Sequence, residues 1–258
     1  MSNFDELRNE AKKFVRENKE FFDRFSKDID TLTLGNYIDL YIGSKGISHL
    51  NTGSEFDDDY DKALDIFCKQ KEQFKEVEYL IVKYLDFLIW LKKQQEIYKT
   101  KISERKRLHK HALEFPNTIN NIFLNKELAE KDKFEILLFY YCSLQEIFKN
   151  IVQEELLLKI WKEGKTDTCD LIKKHIQLGD FIFVIQKYES STKNKISKIF
   201  DVELRNKVLH ADYLIEPDKI IYGSKSVTKQ DVYQKITQLG ITLQFFTLFY
   251  LRLFKESD

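Results

Sequence analysis

The sequence predicts an all-α protein in which a helical bundle with one short β-hairpin follows an N-terminal helical region. Only 2 prolines and 8 glycines occur in 258 residues, so few positions interrupt a helix. Apolar residues recur every three or four positions over long segments, which is the spacing of one helix face. Because 43% of the residues are hydrophobic and 14% are aromatic, the chain can fill a core of its size.

The N-terminal region is predicted to hold two helical segments with an irregular region between them. Residues 4–27 place apolar residues among charged ones at helical spacing, which indicates an amphipathic helix. Residues 33–59 contain four of the eight glycines and predict a long irregular region. Residues 59–115 contain neither Gly nor Pro. Their apolar stripe predicts one very long helix, or two with a kink, as half of a helical hairpin or as an interface.

A domain boundary is predicted at Pro116 and Asn117, where a breaker is followed by polar residues. It divides the chain into an N-terminal helical region of unknown function, 1–119, and a second helical domain, 120–258. The segments predicted in the second domain, in chain order, are a strongly apolar helix at 133–161, a shorter helix at 168–177, an apolar stretch at 181–188 and a helix that Ser191 or Thr192 caps and that runs to 209.

A short hairpin and a closing helix are predicted to end the second domain. Residues 213–215 and 220–222 are short apolar runs, and Pro217 lies in the turn between them, which indicates a hairpin. Thr228 stands three residues before Asp231, which is the signature of a helix N-terminus. A last amphipathic helix is therefore expected to run almost to the end of the chain.

The composition limits the classes of partner. The 42 Lys and Arg residues balance 42 Asp and Glu residues, so binding to nucleic acid or to acidic membranes would need a local basic patch. Cys68, Cys142 and Cys169 lie far apart in apolar contexts, which indicates buried thiols in a reducing compartment. The charged N-terminus does not resemble a signal peptide, and the longest uncharged run, 236–251, is too short and polar for a bilayer. We expect a cytoplasmic protein with no membrane partner.

The residues with the clearest chemistry lie in the stretch 204–213, LRNKVLHADY, at the end of a predicted helix. Arg205 supplies a permanent planar cation that binds two phosphate oxygens at once. His210 can act as an acid or a base near neutral pH. Cleavage of RNA without a metal needs proton transfer from the 2′-OH and stabilisation of charge on the phosphorane. No cluster of Asp, Glu and His residues indicates a two-metal nuclease, so no metal or cofactor is expected.

The spacing of the two residues constrains how they meet. Five positions on a regular helix separate Arg205 and His210 by roughly 140°, whereas Asn206 shares a face with His210. Either the last helical turn is distorted, or two copies of the motif complete one site across a symmetric dimer. Asn206 is then placed to hydrogen-bond the imidazole and fix its tautomer.

This stretch resembles the Arg-x4-His motif of the HEPN superfamily (higher eukaryotes and prokaryotes nucleotide-binding), including the Asn that frequently follows the Arg. The order of apolar helices, motif, short hairpin and closing helix is similar over about residues 120–256. The resemblance implies an HEPN-like helical bundle that forms a homodimer through the motif face. It implies a metal-independent endoribonuclease of toxin–antitoxin or antiviral defence, with Arg205 and His210 as catalytic pair and Asn206 beside them.

Candidate contacts with the RNA backbone are the basic side chains of Lys207, Lys198, Arg105 and Arg107. The last two lie in a basic segment where cations are also favoured by a helix C-terminus, so an ordinary solvated face is an alternative. Arg105 and His111 match a looser form of the motif. No hairpin follows them, so we interpret that match as coincidence.

Two alternative interpretations remain open at this level. Arg205 can be an ordinary surface arginine paired with Asp201 or Glu203. The second domain can be a non-catalytic HEPN-like module that dimerises, or binds a nucleotide or RNA, within a larger defence complex. The long apolar stripe at 59–115 favours such a module, because a small nuclease needs less apolar surface. The expected partners are RNA, a second copy of the chain and an antitoxin or other defence partner.

Overall fold

The computed structural model describes residues 3–18, 34–47, 75–123, 127–162, 177–189 and 196–254. Within these ranges the chain is mostly helical and carries one small antiparallel sheet, which confirms the predicted all-α class with a short hairpin. The helices, in chain order, are α1 (Asn3–Glu17), α2 (Leu34–Ser44), α3 (Lys75–Lys93), α4 (Lys99–Phe123), α5 (Glu130–Lys162), α6 (Leu178–Glu189), α7 (Val202–Leu209) and α8 (Lys229–Phe254). The strands are β1 (Leu214–Ile215), β2 (Lys219–Tyr222) and β3 (Lys225–Thr228).

The chain divides into two compact units. Unit 1 contains Met1–Lys106 together with Phe245–Asp258, and unit 2 contains Arg107–Gln244. The boundary predicted after residue 119 falls inside α4, where Pro116 is accommodated within the helix. The end of the chain belongs to unit 1, and no local feature of the sequence indicates this.

Long-range contacts of the last helix explain why the chain end is part of unit 1. The ring of Phe246 stacks on that of Tyr84, with 3.9 Å between centroids. Arg252 donates from Nε and Nη2 to the two carboxylate oxygens of Asp39, at 2.7 and 2.5 Å. A bidentate pair of this kind fixes the orientation of both side chains.

One prediction for unit 1 differs from the structure. Leu34–Ser44 is a helix, although the glycines predicted an irregular region at 33–59. Its buried side chains include Tyr37, Ile38, Tyr41 and Ile42. This burial outweighs the cost of about 1 kcal/mol that each of Gly35 and Gly43 imposes on a helix. The remainder of the predicted loop, from residue 48 onward, lies outside the described residues.

The long helical segment predicted at 59–115 is two helices where it is described. α3 ends at Lys93, a turn occupies 94–98, and α4 begins at Lys99. Residues 59–74 lie outside the described residues. The same holds for 19–27 of the first predicted helix, for 168–176 of the helix predicted at 168–177, and for Cys68 and Cys169.

α5 is the longest of the described helices, and it confirms the apolar helix predicted at 133–161. Tyr141 and Phe148 are fully buried along it. The Phe148 ring meets Phe200 edge-on, with 5.2 Å between centroids, and Phe181 of α6 meets Phe200 in the same manner at 6.1 Å. The free thiol of Cys142 is buried on α5 as predicted, and burial raises its pKa to about 12.

The sheet has the order β1-β2-β3, with both pairs antiparallel. The predicted hairpin is formed by β1 and β2, where Ile215 pairs with Ile220. The third strand was not predicted, because its sequence is short and its side chains are mostly exposed. Gly223 makes the turn between β2 and β3 with φ 60°, a left-handed conformation that favours glycine.

α8 begins where the sequence predicts. The Thr228 hydroxyl accepts the backbone N–H of Asp231 at 3.0 Å and donates to the Asp231 carboxylate at 2.7 Å. Further along, the uncharged run contains a buried threonine that is satisfied within the helix: the Thr242 hydroxyl donates to the Gln238 carbonyl at 2.7 Å. Across the described ranges, no helix combines the length and the apolar character that crossing a membrane requires.

Candidate functional site

The motif helix α7 is fixed at its start by Asp201. One carboxylate oxygen of Asp201 accepts the backbone N–H of Leu204 at 2.9 Å, which makes Asp201 the N-cap. The other oxygen accepts the Tyr222 hydroxyl at 2.9 Å and lies 3.6 Å from Nζ of Lys235. Asp201 therefore ties α7 to β2 and to α8.

The motif helix is shorter than predicted. A 3-10 turn at Ile196–Ile199 precedes it, in place of a continuous helix running from a cap at Ser191 or Thr192, and those two residues lie outside the described ranges. Side chains of α5 bind the backbone at the break. The Tyr141 hydroxyl donates to the backbone carbonyl of Ile199 at 2.7 Å, and the side-chain amide oxygen of Gln145 accepts the backbone N–H of Asp201 at 3.2 Å.

Arg205 is bound to α5. Its Nη2 donates to Oε1 of Glu146 at 2.6 Å, and its Nη1 donates to the amide oxygen of Asn206 at 2.9 Å. The Arg205 Nε is buried and has no hydrogen-bond partner among the described residues. The pairing with Asp201 or Glu203 considered from the sequence is replaced by one with Glu146, since Asp201 caps the helix and Glu203 pairs with a lysine of β3.

His210 is the exposed C-cap of α7. Its backbone N–H donates to the Asn206 carbonyl at 3.1 Å, so the helical bonding is regular up to this residue. Ala211 follows with φ 53°. The N–H groups of Ala211 and Asp212 donate to the carbonyls of Val208 and Lys207, at 3.1 and 2.8 Å. These are the two bonds of a Schellman motif, so the imidazole stands at a well-defined helix end.

Asn206 lies with Arg205 and not with His210. Its amide oxygen accepts from the guanidinium, and within the described part of the chain no hydrogen bond joins Asn206 to the imidazole. These contacts therefore do not include the hydrogen bond by which Asn206 was expected to fix the histidine tautomer. The structure brings Arg205 and Asn206 together and leaves the side chain of His210 exposed.

The four candidate RNA contacts lie in different environments. Lys207 is bound to Asp212, and this hydrogen bond raises the pKa of the ammonium. Lys198 and Arg107 are exposed. Arg105 requires a correction: its side chain is 2% exposed and cannot reach a nucleic acid from the surface.

Aromatic rings explain the burial of Arg105. The guanidinium carbon lies 4.9 Å from the centroid of the Phe87 ring, and Nη1 lies 3.4 Å from the Tyr84 hydroxyl. A guanidinium stacks well on an aromatic face, which permits an arginine to enter a core. The basic character of the surrounding segment concealed this in the sequence.

Glu146 and Lys149 were not singled out from the sequence, whereas Tyr213 is the last residue of the motif stretch. Glu146 accepts Arg205 with one oxygen and Lys149 with the other, each at 2.6 Å. Tyr213 donates its hydroxyl to Glu135 at 2.5 Å, and its pKa is raised, chiefly by burial. The sequence signal for Glu146 and Lys149 was weak, because it consists only of a Glu and a Lys three positions apart within an otherwise apolar helix.

Exposed apolar side chains occur close to the motif in sequence and structure. Leu209 precedes His210, Leu214 follows Tyr213, and Phe139 lies one turn along α5 from the tyrosine's partner Glu135. Each of these three large apolar residues is exposed in the single chain. Where exposed apolar side chains form a contiguous patch, they commonly mark an interaction site.

The described residues contain no group of three or more His, Cys, Asp or Glu side chains that could hold a metal ion. No protein-family model matches the chain, and comparisons with curated proteins and with solved structures found no significant match.

Proposed function

We propose that this protein is a metal-independent endoribonuclease of HEPN type, acting in the cytoplasm in toxin–antitoxin or antiviral defence. The observation that carries the proposal is the end of α7, where a short helix fixed at both ends bears Arg205 and terminates on an exposed His210. The resemblance of this stretch to the HEPN motif supplies the reaction class.

The reaction needs only groups that the chain supplies. The RNA 2′-oxygen attacks the adjacent phosphorus, the P–O bond to the 5′-oxygen breaks, and the products carry a 2′,3′-cyclic phosphate and a 5′-OH. His210 takes the 2′-OH proton or gives a proton to the leaving oxygen. Arg205 stabilises the negative charge on the phosphorane. Asn206 holds the guanidinium from one side.

A homodimer through the motif face completes this proposal. Because α7 is regular as far as His210, distortion of the last turn does not bring the two side chains together. Two copies of the motif can instead contribute an arginine and a histidine to one site. The exposed Leu209, Leu214 and Phe139 provide apolar surface for such a contact.

Two substitutions test the catalytic pair. Arg205→Ala and His210→Ala are each expected to reduce cleavage of a fluorescent RNA in EDTA by roughly a hundredfold or more. Lys219→Ala, on the hairpin, is the matched surface control and is expected to cleave like the wild type. Equal cleavage by the wild type and both variants would reject the assignment, and circular dichroism must show unchanged helicity.

Mixing the two inactive variants tests the shared site. In a dimer of one R205A chain with one H210A chain, one of the two sites contains an intact arginine from one copy and an intact histidine from the other. Partial recovery of cleavage after mixing is therefore expected. If the variants are dimeric and exchange subunits but no activity returns, a site shared between copies is wrong.

One observation favours a second candidate function, a non-catalytic HEPN-like module that binds RNA or a nucleotide within a larger complex. The two terminal nitrogens of Arg205 already donate hydrogen bonds to Asn206 and Glu146. This arrangement suits an arginine with a structural or binding role. Tight RNA binding without cleavage by the wild type, with or without an antitoxin or other defence partner, would favour this alternative.

A further inference from the structure

Arg205 shares one carboxylate with a second cation. Oε1 of Glu146 accepts Arg205 at 2.6 Å, and Oε2 accepts the Lys149 ammonium at 2.6 Å. The Arg205, Glu146 and Lys149 side chains are 25%, 30% and 12% exposed. All three therefore lie in a protected part of unit 2, which is within reach of solvent but shielded from full hydration.

This cluster carries a surplus positive charge. Two cations meet one carboxylate, and among the described residues neither Arg205 nor Lys149 forms an ion pair with another acid. A partly buried cation without a counter-charge costs free energy. The Arg205 Nε has no hydrogen-bond partner in the described part of the chain. A bound anion would balance the charge.

Enough donors remain to bind that anion. A guanidinium has five N–H groups and an ammonium has three. The contacts with Asn206 and Glu146 use two N–H groups of the Arg205 guanidinium, and the contact with Glu146 uses one N–H group of the Lys149 ammonium. The anion therefore does not have to displace Glu146 from either Arg205 or Lys149.

The distance between the two cations fits one phosphate. Two bonds of 2.6 Å and the roughly 2 Å between carboxylate oxygens place Nη2 of Arg205 and Nζ of Lys149 at most about 7 Å apart. A phosphate whose oxygens accept two charge-assisted bonds of about 2.8 Å spans a similar distance. One phosphodiester can thus contact both cations.

We propose that Lys149 is a second phosphate-binding residue of this site, and that Glu146 holds Lys149 and Arg205 in position to bind one phosphodiester of single-stranded RNA. This inference rests on the proposed function, because it takes the same arginine as the phosphate ligand. Lys149 binds the substrate, and Glu146 acts through the two cations.

The test uses a fluorescein-labelled 2′-O-methyl oligouridylate, which cannot be cleaved because its 2′-oxygens are methylated. Fluorescence anisotropy gives Kd over a range of KCl concentrations for the full-length protein. Lys149→Met removes the charge and keeps the apolar stem. It is expected to weaken binding roughly tenfold, the loss of one hydrogen bond to a charged group. The slope of log affinity against log salt should fall by about 0.7, one phosphate contact on a single strand.

Lys133→Met is the matched control. Lys133 lies on the same helix, pairs with Glu130 at the same three-residue spacing, and is 17% exposed. It lies about 24 Å from Lys149 along α5, on the basis of 1.5 Å per residue, which is too far to contact the same phosphate. Its replacement should leave both affinity and salt slope unchanged. Lys149→Arg should restore both, since it restores the charge.

The outcomes separate the two proposals. If Lys149→Met binds the analogue with wild-type affinity and slope, or if Lys149→Arg fails to restore binding, Lys149 is not a phosphate ligand, whatever the cleavage assay gives. If the wild type cleaves no RNA, yet Lys149→Met weakens binding and Lys149→Arg restores it, the ribonuclease proposal fails and the phosphate site stands.

Discussion

The residue next to the candidate catalytic histidine adopts an unfavourable backbone conformation. Ala211 has φ 53°, a region in which a side chain costs about 1 to 2 kcal/mol relative to the right-handed conformation. The Schellman bonds to Lys207 and Val208 hold it there. Most proteins use Gly or Asn at this position. The sequence showed the helix end, because His210 and Ala211 precede an extended segment, but not the strain, which depends on the closing bonds.

We predict that Ala211→Gly raises the free energy of unfolding by about 0.5 to 1 kcal/mol, since relief of strain exceeds the added entropy of the unfolded chain. Urea unfolding followed by circular dichroism measures the change. Gly223→Ala is the reverse control: Gly223 has φ 60°, and a Cβ there would meet only ordinary contacts at 3.7 Å or more. It should lose about 1 to 2 kcal/mol. Loss of stability in Ala211→Gly would contradict the assigned conformation.

Candidate residues could be selected from the sequence only where the signal is local. Arg205 and His210 could be selected as candidates because both residue types and their spacing lie within a few residues. The partner of Arg205 could not, because Glu146 is 59 positions away and α5 must fold before the two meet. Arg105 was misassigned for a related reason, since the rings that bury it belong to α3.

The start of a helix could likewise be predicted where local contacts determine it, and not where distant contacts do. The start of α8 was predicted because Thr228 and Asp231 bind each other and no distant group is required. The start of α7 was missed because Tyr141 and Gln145 of α5 bind the backbone at the break. Those contacts replace the local hydrogen bonds that a continuous helix would make.

We predict that Asp201→Ala lowers the free energy of unfolding by about 2 to 3 kcal/mol. Loss of the N-cap accounts for about 1 kcal/mol. The Tyr222 hydroxyl, which donates to the same carboxylate, would lose its partner at a further cost of about 1 to 2 kcal/mol. Thermal unfolding, converted to free energy with the measured enthalpy, gives the comparison.

Two matched variants separate these contributions. Thr228→Ala removes a cap together with a hydrogen bond to the Asp231 carboxylate, which is exposed and can bind water instead, so it should cost about 1 kcal/mol. Asp201→Asn keeps a good capping side chain and an acceptor for Tyr222, so it should retain most of the stability. If Asp201→Ala costs no more than Thr228→Ala, Asp201 acts as a cap alone and does not link α7 to β2.

The division of the whole molecule into units could not be predicted from the sequence. Pro116 suggested a boundary, yet a helix accommodates it. The residues that assign the chain end to unit 1, Asp39 and Arg252, are 213 positions apart. Composition and periodicity predict the class of a fold, because they depend on local propensity. They do not specify which distant segments join one core.

The pair of Arg252 and Asp39 provides a test at this scale. Their side chains are 8% and 22% exposed, so removing one partner leaves the other poorly hydrated. We predict that Arg252→Met or Asp39→Asn alone destabilises unit 1 by about 3 kcal/mol, and that the double variant costs less than the sum of the two. Urea unfolding followed by Trp90 fluorescence reports on unit 1, with the second tryptophan, Trp161, replaced by Phe in every protein compared.

Lys13 and Glu17 form the matched exposed pair in unit 1, with side chains 75% and 60% exposed. Their coupling energy in the same double-mutant cycle should stay below about 0.5 kcal/mol, because solvent screens both charges. The coupling between Arg252 and Asp39 should exceed it by about 1 kcal/mol or more, since two short hydrogen bonds in a protected position are broken. Equal coupling energies in the two cycles would show that the carboxyl-terminal end of α8 does not stabilise unit 1 through Asp39. The stacking of Phe246 on Tyr84 would then account for its attachment.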